Sequence, residues 1–286
     1  MNGDWIWCDG GFLETERFTI SPWDRGLTVG LGVFETMLAL EGMPAFFEKH
    51  ISRLQRSCAL VTPGLSETLA TSAVDIARAA EELLHRNRHD TGRARVRLAL
   101  TAGEGALDRT DSPSPGRMWM TTASTPEPPA AMTVATCPWT RDPGRALAGI
   151  KCASWAENAV ALAWARQQGV DEPLFLTPDG RVCESATANV FLVRDGRVAT
   201  PTLGTGCLPG ICRSVVLCLC AEFGITCDER DITSSDLRAA DGIFLSSSLR
   251  GVVPVSALDG KPVSTPPTIA RLQEEVGKAA IASLPR

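Results

Sequence analysis

Arg93-Ala-Arg-Val-Arg-Leu-Ala-Leu-Thr101 alternates residue by residue. Arg93, Arg95, Arg97, Ala99 and Thr101 fall on one side, and Ala94, Val96, Leu98 and Leu100 on the other. That period of two belongs to a strand with one face against a core. Working outward, Val33 to Leu40 reads as another strand, ending at the turn Glu41-Gly42. Between the two, Ile51, Leu54, Cys58 and Val61 recur at helical spacing over about 47–61, and a second helix is expected over 66–86. Residues 4–13 read as a hairpin turning at Asp9-Gly10-Gly11. A strand near 117–122 runs into Ser124-Thr-Pro-Glu-Pro-Pro-Ala-Ala131, the best linker candidate in the chain.

Beyond that linker, strands are expected at 132–137, 173–177, 182–193, 225–229, 242–246 and 252–257. Helices are expected at 155–168, 210–223 and 267–283, the middle one closed by Gly224. Hairpin turns with interspersed helices point to α+β architecture, not to a doubly wound parallel sheet. The expected division is an N-terminal domain over 1–123, a linker over 124–131 and a larger C-terminal domain over 132–286. No glycine-rich nucleotide fingerprint follows any strand.

The 286 residues carry a formal charge of −5. This gives no basic footprint, so nucleic acid is not the expected partner. The first residues lack a basic leader and no apolar run reaches spanning length, so neither export nor membrane insertion is expected, and the cytoplasm is the expected location. Ten cysteines scattered from Cys8 to Cys227 form no CxxC pair and read as reduced, mostly buried thiols. His85 and His89 sit in a basic, solvated helix end, and no metal is expected there.

Only four of the 28 basic residues are lysines: Lys49, Lys151, Lys261 and Lys278. Lys151 alone has apolar surroundings, after Ala-Leu-Ala-Gly-Ile and before Cys-Ala-Ser-Trp. Such a setting favours the neutral amine that forms Schiff bases, though a lysine snorkelling at a strand end fits this context as well.

Several segments resemble one family. They are Asp24-Arg-Gly-Leu-Thr-Val-Gly-Leu-Gly-Val-Phe-Glu-Thr36, Phe47-Glu-Lys-His-Ile-Ser-Arg-Leu54, Leu147-Ala-Gly-Ile-Lys151 and Glu184-Ser-Ala-Thr-Ala-Asn-Val-Phe191. Thr200-Pro201, Leu208-Pro-Gly-Ile-Cys-Arg213 and Ser246-Ser-Ser-Leu-Arg-Gly-Val-Val-Pro-Val255 complete the set in order. Together they resemble the class IV, or fold type IV, aminotransferases that use pyridoxal 5'-phosphate, and the wording is nearest to aminodeoxychorismate lyases. The resemblance implies a two-lobed α+β fold, with a small α/β sandwich lobe and a larger pseudo-barrel lobe. It also implies a homodimer acting on a small molecule.

By the same resemblance, Lys151 carries the cofactor and Glu184 pairs with its ring nitrogen. Arg53 clamps the phosphate, helped by the helix start at Ile211 and Cys212 and by Ser247 and Ser248. Thr36 matches a proton donor of the lyases. Arg97 and Arg250 are two candidates for substrate carboxylates, although the arginine face of 93–101 could equally be solvated. Trp155 stands near the place where relatives carry a tyrosine, and this chain has none. Leu31 replaces a usual aspartate, and Cys212 a common threonine. The expected reaction is conversion of 4-amino-4-deoxychorismate to 4-aminobenzoate and pyruvate. The alternatives are a branched-chain or D-amino acid transaminase, or a degenerate or pathway-specific member.

Overall fold

The strand Arg93–Thr101 is the spine of a six-stranded antiparallel sheet in the computed structural model, which describes residues 3–61, 63–108 and 116–285, and only the backbone over 63–72. The sheet contains β1 (Trp5–Cys8), β2 (Gly11–Glu14), β3 (Gly32–Leu40), β4 (Met43–Pro44), β5 (Arg93–Thr101) and β6 (Arg117–Ser124). Their order is β2-β1-β6-β5-β3-β4. Asp9 and Gly10 both have positive φ (47° and 93°), the backbone of the tight turn that lets β1 fold back on β2.

The register puts Thr36 opposite Arg97 and Arg97 opposite Thr121, so the arginine side of β5 shares a face with Phe34, Thr36 and Leu38. The other face carries Val33, Met37, Val96, Leu98 and Met120. It is covered by α2 (Phe47–Val61) and α3 (Pro63–Arg86), whose Ile51, Leu54, Cys58, Ile76 and Leu83 complete the core. The stripe of α2 is buried at the spacing that the sequence shows.

A four-residue helix, α1 (Arg25–Thr28), lies inside the Asp24–Thr36 segment and was not expected. Asp24 caps it, accepting from the Gly26 amide at 2.7 Å and from the Thr101 hydroxyl at 2.7 Å. Arg25 is buried and donates to the carbonyls of Ala102 (2.5 Å) and Gly103 (3.1 Å). This end of the segment therefore anchors the exit of β5. Leu31 packs against the first core.

The second unit holds a nine-stranded mixed sheet. Its elements are β7 (Met132–Thr140), α4 (Ala156–Gln167), β8 (Glu172–Leu176), β9 (Val182–Ser185), β10 (Asn189–Arg194), β11 (Arg197–Thr200), α5 (Ile211–Glu222), β12 (Cys227–Glu229), α6 (Ser234–Arg238), β13 (Gly242–Ser247), β14 (Gly251–Leu258), β15 (Lys261–Pro262) and α7 (Pro267–Ala282). The strand order is β12-β11-β10-β13-β14-β7-β8-β9, with β15 on β14, and the β7/β8, β7/β14 and β11/β12 pairs are parallel. Val190, Leu192, Leu245, Val253 and Val255 lie in its main core. This is the two-lobed α+β fold that the motifs imply.

Two expectations change. The strand expected over 182–193 is broken at Ala186-Thr187-Ala188. The buried Glu172 carboxylate gathers the Ser185 hydroxyl (2.5 Å) and the Thr187 amide and hydroxyl there, so the chain turns. The division of the chain is also less simple than a cut at 124–131. The first unit takes Met1–Glu127, Ile150–Ser154 and Ala280–Arg286, and the second takes Pro128–Gly149 and Trp155–Ala279. Residues 150–154 join the first unit because they pair with β3. Phe34 donates to the Lys151 carbonyl (3.1 Å) and Ala153 to that of Gly32 (2.8 Å). Near the C-terminus, the Phe46 amide donates to the Ser283 hydroxyl at 2.9 Å.

Candidate active site

In the first unit the pairing with β3 fixes Lys151. Cys152 bridges to Val33 on the core face, so Lys151 follows Phe34 to the opposite face. Its Nζ lies 4.5 Å from the centre of the Phe34 ring. The Arg97 guanidinium lies 3.7 Å from the centre of the same ring, and Arg97 stands across from Thr36. Lys151 and Arg97 thus meet over one phenylalanine, on the sheet face that also carries Thr36. Burial, and then the neighbouring Arg95 charge, lower the Arg97 pKa.

Arg53 belongs to the other side of β3. Its Nε donates to Glu35 Oε1 at 2.7 Å and its Nη2 to Oε2 at 2.6 Å, a bidentate pair in the core. His50 Nδ1 completes the group at 2.7 Å from Glu35 Oε2. Burial alone would raise the Glu35 pKa, but the Arg53 charge and hydrogen bonds, helped by His50, bring it down to about 2. Burial lowers the pKa of His50, and the Arg53 and Lys151 charges act in the same direction against the pull of Glu35. Arg53, expected at the phosphate, therefore already matches its charge with a carboxylate.

In the second unit Glu184 sits on β9, nearly enclosed. Its Oε1 accepts from Arg141 Nη1 at 2.6 Å, and its Oε2 from the Leu208 amide at 3.0 Å. Arg141 also donates to Asn158 Oδ1 (3.0 Å) and lies over the Phe175 ring at 4.1 Å. Asn158 in turn donates to the Ala186 carbonyl at 2.6 Å. The carboxylate is oriented and its charge is balanced inside a mostly apolar surround, as the partner of a ring N–H should be.

The start of α5 is shaped for an anion. Gly210 is its N-cap and no side chain caps it, which leaves the first-turn amides of Ile211 and Cys212 facing outward along the helix dipole. A Cβ on Gly210 would lie 2.0 Å from Asn189 Oδ1. Asn189 is fixed by donating to the Leu208 carbonyl at 2.8 Å, so only glycine fits. Cys212 is buried, and burial pushes its thiol pKa up to about 12. Ser247 and Ser248 are half-buried beside this helix start. A dianionic phosphate suits this donor set of amides and hydroxyls.

Arg250 already has partners within the protein. It donates to the buried Glu172 at 3.0 Å, to the Thr187 hydroxyl at 2.5 Å and to Ser247 at 3.4 Å. It ties the turn after β13 to the break between β9 and β10. Trp155 is half-buried at the N-cap of α4. Arg141, Asn158 and Glu172 carry no signal in the sequence. Glu35 and His50 lie inside the segments that resemble the family.

All ten cysteines are free thiols, eight of them buried, and Cys218 is exposed. No helix among the described residues is long and apolar enough to cross a membrane.

The family model described as Amino-transferase class IV matches residues 32–258. The putative branched-chain-amino-acid aminotransferase of Methanocaldococcus jannaschii is 31% identical, over 91% of this chain and 89% of that protein. The aminodeoxychorismate lyase of Bacillus subtilis is 28% identical, over 89% and 86%. Among solved structures, a branched-chain aminotransferase from Thermoproteus uzoniensis superposes with a TM-score of 0.88 at 22% identity, covering 98% of this chain and 96% of that one.

Proposed function

Because this chain belongs to the class IV aminotransferase family of pyridoxal-phosphate enzymes, we propose that it is the lyase of that family that forms 4-aminobenzoate and pyruvate from 4-amino-4-deoxychorismate. The observation that carries this reading is that the Lys151 amine and the Arg97 guanidinium lie against Phe34 on the sheet face that carries Thr36.

When bound, the cofactor supplies an electron sink for the carbanion left by loss of a proton. Lys151 carries it and then, as a free amine, takes that proton from the substrate. Glu184, oriented by Arg141, holds the proton of the ring nitrogen. The amides of Ile211 and Cys212 and the hydroxyls of Ser247 and Ser248 hold the phosphate, and the family resemblance assigns Arg53 to the same group. Arg97 holds a substrate carboxylate. Thr36 protonates the departing enolpyruvate at its methylene carbon, giving pyruvate, while the ring becomes aromatic. Trp155 lines the substrate side, where its indole can donate but not ionise. Arg250 supports the phosphate side through Ser247. The working unit is a homodimer in this reading, as is usual in the family.

Aminodeoxychorismate supplied with no keto acid tests the proposal, with 4-aminobenzoate followed by its fluorescence. Repeated turnover is expected. The 31% identity to a putative branched-chain aminotransferase favours a second reading, transamination. A transaminase would stop after one half-reaction with amino acids and release no 4-aminobenzoate.

A further inference from the structure

Arg95 and Arg97 are two residues apart on β5 and emerge on the same side of the sheet. Arg95 stands between Leu38 and Ala123, and Arg97 between Thr36 and Thr121, so all four cross-strand neighbours are uncharged. The nearby arginines are answered: Arg93 by Glu127 at 3.6 Å and Arg117 by Asp9 at 2.7 Å. Among the described residues no carboxylate pairs with Arg95 or Arg97. Both are half-buried, and the Nε of Arg95 is enclosed without a hydrogen-bond partner.

Like charges side by side on a sheet repel, and burial deepens the penalty because less water screens them. A strand shaped for stability alone would place an acid among them or move them outward. The retained pair instead suits a ligand that brings two negative charges. Its spacing fits as well, because alternate residues of a strand lie about 7 Å apart, within reach of both ends of a small di-acid. The pair also borders the chemistry, since the Arg97 guanidinium and the Lys151 amine lie against the same Phe34 ring.

We propose that Arg95 holds the second carboxylate of a dicarboxylic substrate whose first carboxylate is held by Arg97. This rests on the reading of Lys151 as the reactive amine and deepens it, because aminodeoxychorismate carries two carboxylates. Arg95 would then be the residue that favours dicarboxylic over monocarboxylic ligands.

Two unreactive acids of equal chain length, glutarate and pentanoate, test this on the cofactor-loaded protein by calorimetry. Glutarate should bind at least roughly tenfold more tightly. Arg95→Gln should erase that advantage while leaving pentanoate within about threefold, since one charge-assisted contact is lost. Arg97→Gln should weaken both acids. In the unmutated protein, glutarate but not pentanoate should shield Arg95 from phenylglyoxal, read by peptide mapping, which keeps the test independent of variant folding. Equal affinities for the two acids, a preference that survives Arg95→Gln, or unshielded Arg95 would each overturn the proposal. None of these measurements needs turnover. A failed lyase reading shows as absent 4-aminobenzoate with glutarate still preferred, and a failed arginine pair as equal binding with 4-aminobenzoate still formed.

Discussion

Arg141 Nη1 and Glu184 Oε1 are 2.6 Å apart, and both side chains are almost fully enclosed, with 12% and 9% exposure. A pair of this kind is costly to break from one side, since the remaining charge stays buried without its partner. Arg141→Met should therefore destabilise the protein by roughly 3–5 kcal/mol. It should also loosen pyridoxal phosphate, because Glu184 loses its orientation. Denaturant midpoints and a fluorescence titration with the cofactor read the two effects separately. A variant with unchanged cofactor affinity would leave the pair purely structural.

Glu184→Gln keeps the shape and removes the charge. The protein should stay folded and coloured while proton abstraction slows by several orders of magnitude. A rate within about threefold of the parent would rule out Glu184 as the ring partner, since a lost charge-assisted hydrogen bond is worth more than that.

Borohydride reduction of the loaded protein should fix the pyridoxyl label on Lys151, found by peptide mapping. A label on Lys49, Lys261 or Lys278 would move the site elsewhere. Thr36→Val, which keeps the volume and deletes the hydroxyl, should lower aminodeoxychorismate turnover by roughly 10²–10⁴-fold, the usual worth of a general acid. A neutral result removes Thr36 from the mechanism but leaves the lyase assay standing.

Gly210→Ala places a methyl 2.0 Å from Asn189 Oδ1, and that amide is held by Leu208. Forcing the helix start aside should cost about 1–3 kcal/mol and weaken cofactor binding through its phosphate. Pyridoxal, which lacks the phosphate, should bind both proteins alike. An equal loss for pyridoxal would show that the damage is not at the phosphate.

Acid should unfold the first unit through Glu35 and His50. The folded pKa of Glu35 is lowered from 4.5 to about 2, so its contribution is complete above 4.5 and is lost as pH falls toward 2. His50 is also lowered in the folded state, and its contribution begins to fall away below its ordinary 6.5. The Glu35 shift corresponds to a loss on the order of 3 kcal/mol. Stability measured in urea from pH 7 to 3 should decline in these two steps, and Glu35→Gln should flatten the lower one. A flat profile in the parent protein would contradict the buried pair.

The strand 93–101, the helix over 47–61 and the turns at Asp9-Gly10 and Glu41-Gly42 were legible in the sequence, because period and turn chemistry are local properties. The motifs singled out Lys151, Glu184 and the start of α5 for the same reason, since each is a short run with its own backbone demands. Sequence also set the sidedness of the arginines, because a strand alternates whatever it packs against. It did not reveal their lack of countercharge. That depends on Leu38, Thr36, Thr121 and Ala123, which register brings alongside from other strands.

The partners of the charged groups were decided only by the tertiary structure. Arg141 and Glu184 are 43 residues apart, and Arg250 and Glu172 are 78 apart. The motif marked Arg53 for the phosphate, and folding β3 under α2 adds a partner that the motif does not show, Glu35 at 2.7 Å. Lys151 was expected in the C-terminal domain, and its backbone hydrogen bonds carry it to the first unit. Periodicity reports which side of an element is buried. Which charges meet there depends on how distant elements pack, and packing energies are not written into any local stretch of sequence.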